Sequence, residues 1–191
     1  QNVLLGVLAI GLIGITVAYA ALTQQLKIEG TAKVASSKWD VHFGTVSVGN
    51  AQGYATAGTL AKTGETTIAG DIGTLKAPGD SITYTFDIEN AGDINAIIDT
   101  VTGGQSFTCT SATKSVADAV CKDLTYSIKY TDGNATIAKG DKLAKATNSS
   151  TPTKKNVTLT LTYKSTATTV ASEDVTVTAD PMTITYVQDA K

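Results

Sequence analysis

Apolar side chains follow two unlike patterns along this chain. Residues 1–26 carry no charged side chain, and residues 3–22 read VLLGVLAIGLIGITVAYAAL. A helix of about 20 such residues is roughly 30 Å long, the thickness of a bilayer core. Beyond Lys27 the pattern switches to period two. Leu26, Ile28, Ala32 and Val34 alternate with Lys27, Glu29, Thr31 and Lys33. Trp39, Val41 and Phe43 alternate with Asp40 and His42. Ile82, Tyr84, Phe86 and Ile88 form a third run, and Leu124, Tyr126, Ile128 and Tyr130 a fourth. Val157, Leu159, Leu161 and Tyr163 follow, then Val175 and Val177, then Met182, Ile184 and Tyr186. Half-apolar, half-polar runs of this kind predict antiparallel strands with one face on a core and one in water.

Turn chemistry separates the runs. Val48-Gly49-Asn50, Pro78-Gly79-Asp80, Asn90-Ala91-Gly92-Asp93, Asp132-Gly133-Asn134 and Asp180-Pro181 all hold residues that favour turns. Residues 112–120 alone read as a helical turn within the β region. Residues 49–73, rich in Gly, Ala and Thr, read as an irregular or edge hairpin, and residues 140–155 as a polar loop or hairpin tip. The expected architecture is mainly β: an apolar N-terminal helix over residues 1–25, then an antiparallel β-sandwich or jelly-roll-like domain over residues 26–191.

Three readings of the N-terminal segment compete. A secretory signal peptide fits the apolar stretch and Ala18-Tyr19-Ala20, but not a chain that starts at Gln1 without a basic region. A permanent membrane anchor is the second. The third is a segment held in the membrane before assembly and packed against its own copies afterwards. Gly6, Ala9, Gly11 and Gly14 would allow the close backbone approach that apolar helices need to associate. On that reading Val3, Leu4, Leu5, Val7, Leu8, Ile10, Leu12, Ile13, Ile15 and Val17 form a filament core.

Charge narrows the functional classes. Only 17% of residues are charged, the net charge is −2, and every cation is Lys because the chain has no Arg. Phosphate recognition favours a basic patch and bidentate guanidinium groups, so no nucleic-acid partner is expected. The single histidine, His42, excludes a Cys/His zinc site and any His-dependent triad that does not use it. Alternation places it opposite Trp39 and Phe43, facing solvent or an interface. The pairs Asp87/Glu89 and Glu173/Asp174 read as solvated strand faces, without a calcium loop. There is no P-loop, GxSxG or GxGxxG in a βα context, so neither an enzyme nor a cofactor is expected.

Cys109 and Cys121, the only cysteines, are expected to pair in an oxidising compartment and so brace residues 112–120. Asn134-Ala-Thr136, Asn148-Ser-Ser150 and Asn156-Val-Thr158 match the N-glycosylation pattern.

Residues 18–32 (AYAALTQQLKIEGTA) and 37–43 (SKWDVHF) resemble surface proteins of Gram-positive-type bacteria with an apolar helix joined directly to a β domain. Residues 78–92 (PGDSITYTFDIENAG), with Ile94 to Ile98 after them, resemble the camelysin/TasA class of matrix-fibre subunits. The N-terminus is similar in type and placement to type IV pilins, although Val3, Leu4 and Leu5 stand where bacterial type IV pilins usually carry an acidic residue. The pilin resemblance implies an extracellular homopolymer, membrane-held before assembly, with a helical core and the β domain outside. The TasA resemblance implies subunits that donate a strand, for which Leu26, Ile28 and Val34 are the candidate segment. A membrane-anchored surface or adhesin domain is the third expectation.

Overall fold

The computed structural model describes residues 30–148 and 150–189. The expected N-terminal helix, its ten filament-core residues, Leu26 and Ile28 lie outside the described residues. The chain divides into two units, Gln1–Ser36 and Ser37–Lys191. Within the first, residues 30–36 are exposed and form no strand, and Val34 is 96% exposed.

The second unit is mainly β, built on antiparallel sheets. In chain order its elements are β1 (Val41–Val46), β2 (Asn50–Gln52), β3 (Thr56–Ala57), β4 (Ala61–Gly64), β5 (Thr67–Ala69), β6 (Gly73–Thr74), β7 (Ser81–Asn90), β8 (Ala96–Thr102), β9 (Phe107–Thr110), α1 (Lys114–Lys122), β10 (Leu124–Tyr130), β11 (Lys142–Leu143), β12 (Thr153–Tyr163), β13 (Thr176–Ala179) and β14 (Thr183–Gln188). A 3₁₀ turn, Asp132–Asn134, follows β10.

β7 is the spine of the main sheet, whose order is β1-β7-β12-β10 with β2 also paired to β7. Its alternation turns Ile82, Tyr84, Phe86 and Ile88 inward, where all four are buried. β12 runs antiparallel to it from Thr153↔Asn90 to Thr162↔Ser81, and β10 is registered on β12 from Leu124↔Tyr163 to Tyr130↔Val157. A second sheet, β11-β8-β14, contributes Leu143, Ala96 and Ile98 to the same buried cluster as Ile128, Val157 and Leu159 of the main sheet. Burying each large aliphatic side chain contributes about 1.5–3 kcal/mol, so this shared core is the chief source of stability. A smaller cluster of Val120, Leu124 and Tyr163 joins α1 to the β9–β13 pair, with half-buried Val116, Phe107 and Val177 around it.

Several expected boundaries shift. The strand expected from Trp39 begins at Val41, and Trp39 stays 44% exposed. The helical turn expected over residues 112–120 is Lys114–Lys122, which buries Ala117 and Val120 and places Val120 in the small core. Residues 49–73 resolve into β2 on the main sheet, the start of the β3–β6 pair, and the β4–β5 pair. The polar tip expected over residues 140–155 contains β11 and the start of β12. There, Lys154, Lys155 and Asn156 interrupt the alternation, yet they pair with Glu89, Ile88 and Asp87.

Candidate functional site: a groove beside an edge strand

β10 is an edge of the main sheet. Its outer side is bonded near its end, where the Tyr130 N–H donates to the Ala135 carbonyl and Lys129 bridges Thr136. Among the described residues, no backbone group pairs with the outer side from Leu124 to Ile128. An uncovered edge of this kind is a template for another strand. Beside it runs a groove of about 940 Å³. Leu124 and Tyr126 of β10 and Leu161 and Tyr163 of β12 line it, together with Val120 of α1, and residues 70–76 and 171–179 complete the lining.

Both flanking segments are anchored. On one side, Asp80 is 1% exposed, and its carboxylate accepts the N–H groups of Lys76 (2.7 Å), Tyr54 (2.8 Å) and Ala77 (3.0 Å). Burial pushes its pKa up, but the three donors outweigh that and hold it below its ordinary 3.8. Gly53 makes this approach feasible: its φ is +72°, and a side chain there would collide with the Asp80 carboxylate. The Tyr84 hydroxyl also donates to the Ile72 carbonyl at 3.0 Å.

On the other side, the Cys109–Cys121 disulfide, with Cα atoms 5.9 Å apart, fastens the end of α1 to β9. Cys109 in turn pairs with Val177 of β13, a residue of the groove. The Glu173 carboxylate accepts the Thr113 N–H at 2.6 Å, where the Thr113 side chain makes no cap of its own. That bond, ahead of the opposing effect of burial, lowers the Glu173 pKa from 4.5. It gives the 171–175 segment a polar tether to the start of the helix.

The groove offers mixed polar and apolar surface beside the unpaired edge of β10. Burial, reinforced by Asp180, pushes the Tyr126 hydroxyl up to about 12, so it stays protonated at neutral pH. Among the described residues no cluster of three or more His, Cys, Asp or Glu is placed to hold a metal ion.

The other singled-out residues lie elsewhere. His42 is half-buried rather than facing solvent: its Nδ1 is 2.7 Å from Asp40, and its Nε2 is 3.5 Å from Glu89, directly across from it on β7. Glu89 also meets Lys154 at 2.7 Å, and Asp87 accepts from Asn156 Nδ2 at 2.6 Å. The Asp87/Glu89 face is therefore a cross-strand ion-pair network over β1, β7 and β12. Asn134 and Asn148 sit on exposed turns, and Asn156 within β12.

Two buried polar residues carry more of the architecture than their sequence context announced. Asn90, 1% exposed, donates to the Ile94 carbonyl and accepts the Gly92 N–H, closing the β7–β8 turn. Asp80 stands in Pro78-Gly79-Asp80 immediately before a strand, and that position was its only sequence signal. Compared with known protein families, characterised proteins and solved structures, the chain matches none.

Proposed function

We propose that this chain is the structural subunit of an extracellular filament. The charge-free segment at residues 3–22 would bundle in the filament core after a membrane-held stage, and the β-sandwich domain would coat the outside. The observation that carries the reading is that segment's length and composition, joined directly to a braced β domain. About ten aliphatic side chains at roughly 1.5–3 kcal/mol each cannot be left in water, so the segment must be covered by lipid or by its own copies. The Cys109–Cys121 disulfide supports an oxidising, extracellular placement. Among the described residues no helix is long and apolar enough to cross a membrane.

Electron microscopy of material sheared from the cell surface tests the reading. A helical polymer of this subunit is expected, and Leu12→Lys is expected to abolish it. Monomer found only in the membrane would replace the filament by an anchored surface or adhesin domain. Normal filaments from Leu12→Lys would remove the helix from the core.

A second reading, strand donation between subunits, is favoured by one observation: β10 has an edge unpaired from Leu124 to Ile128 beside a groove of mixed polar and apolar lining. The alternating segment from Leu26 to Val34 is the candidate donor. Added as a strand, it would gain backbone hydrogen bonds along β10 and pockets for every second side chain. A chain beginning near Lys27 separates the two. The helix-core reading expects it to stay monomeric, and polymer of native symmetry from it would establish strand donation instead.

A further inference from the structure

The three N-glycosylation motifs are equivalent as sequence and unequal in the fold. A transferase acting on the folded chain must draw the Asn carboxamide and the hydroxyl two residues on into its own site. At Asn156 both groups are occupied. Its Nδ2 donates to Asp87 at 2.6 Å, and the Thr158 hydroxyl is 2.7 Å from that of Thr131. The residue is also registered opposite Asp87 inside the β7–β12 ladder. At Asn148 the carboxamide oxygen accepts the Ser150 N–H at 2.9 Å, so a local turn holds the amide. Among the described residues, neither the Asn134 carboxamide nor the Thr136 hydroxyl makes a side-chain hydrogen bond, and residues 131–136 are all exposed. Asn134 has a positive φ of 52° beside Gly133 at φ 68°, and the turn is fixed by the Tyr130–Ala135 hydrogen bond and by buried Ile137. The amide is thus presented on a fixed, exposed tip, where a bulky polar adduct meets no neighbour.

We infer that Asn134 is the modification site of this domain, the acceptor of an oligosaccharide from a lipid-pyrophosphate donor. In the transfer, Nδ2 attacks the anomeric carbon and the C–N bond forms. The bond from that carbon to the phosphate oxygen breaks, its electron pair leaves with the lipid pyrophosphate, and the amide proton passes to solvent. The inference rests on the extracellular placement proposed above.

Cleavage after Lys places the three motifs on separate peptides, residues 130–139, 146–154 and 156–164. The test is peptide mass spectrometry of the full chain recovered from the surface fraction of its native cells. A glycan mass on the 130–139 peptide is expected, at higher occupancy than on 146–154, with 156–164 unmodified. Asn134→Gln should remove from the intact mass the glycan carried by the 130–139 peptide, with the Cys109–Cys121 disulfide still present in the non-reduced chain. An unmodified Asn134 peptide, equal or greater occupancy at Asn148, or a glycan on Asn156 would each overturn the inference. Recovery of the chain in the surface fraction is scored separately, so failure of the glycan leaves the placement standing.

Discussion

Much of the main sheet shares its core with another sheet, while its corner at Leu124 and Tyr163 packs on a helix and a short strand pair. Phe86, Ile88, Val157 and Leu159 pack with Ala96, Ile98 and Leu143 of the second sheet into a continuous buried core. Toward Leu124 and Tyr163 the second sheet contributes nothing to the buried cluster, which consists of Val120, Leu124 and Tyr163. That end carries the disulfide and the groove. A core of three buried residues has little apolar area to set against the entropy of ordering α1, β9 and β13. A covalent link supplies part of that deficit by restricting the unfolded chain. The contrast shows how one sheet can bury a continuous core at one end and a small, covalently braced one at the other.

The strongest way to break the contrast is to empty the larger core. Ile98→Ala removes a side chain 1% exposed in the middle of it and should cost about 2–5 kcal/mol. Urea unfolding would show one cooperative transition moved to lower denaturant. A change under about 1 kcal/mol would mean that the second sheet is not essential cover.

Replacing both Cys109 and Cys121 by Ser probes the smaller end. The chain-entropy account gives on the order of 3 kcal/mol for a link closing so short a loop. Hydrogen exchange should quicken in α1, β9 and β13 more than in β7 and β12. Uniform quickening would show that the two ends unfold as one unit.

Asp80→Asn tests the anchor of residues 76–80. Its carboxylate serves three N–H donors, and the amide keeps only one oxygen, so a loss of about 1–3 kcal/mol at neutral pH is expected. Because the folded pKa is lowered, the carboxylate's contribution is complete above the unfolded value of about 3.9 and fades as pH falls through the folded one. The gap between the native chain and Asp80→Asn in urea unfolding should therefore close as the pH is taken below about 4. A gap that persists in acid would mean that packing, not charge, is what the substitution removes.

How much of this was legible in the sequence follows from the range of the interactions. β7, β10 and most of β12 were readable because period-two alternation is local and both faces of those strands obey it. The cysteine pair was readable because no other partner exists in the chain. β11 and the first residues of β12 were not, since Lys142, Lys154 and Asn156 are polar and are held by distant partners on β8 and β7. The groove was also hidden. It depends on β10 ending up at a sheet edge, which is a property of strand order, and alternation is silent about order. Glu173 illustrates the same limit: its partner, Thr113, lies sixty residues away.

Glu173 also gives the mildest test of the end that carries the groove. Its carboxylate lies at the rim of the groove and ties the 171–175 segment to the N-terminal end of α1 through the Thr113 N–H. Glu173→Gln keeps the shape and removes the charge that the helix N-terminus favours. The folded pKa is lowered, so the tether is present above the unfolded value, about 4.3, and weakens as pH falls through the folded one. Global unfolding should barely change, because the group is screened by solvent. The expected signature is local: a smaller protection factor (exchange corrected for the intrinsic, base-catalysed rate) at the Thr113 amide in Glu173→Gln at neutral pH, and a protection factor there that falls in the native chain on acidification. If the variant and native chain exchange alike at neutral pH, the segment is held by Val175 and Val177 on the small core, and the groove owes that side to packing rather than to charge.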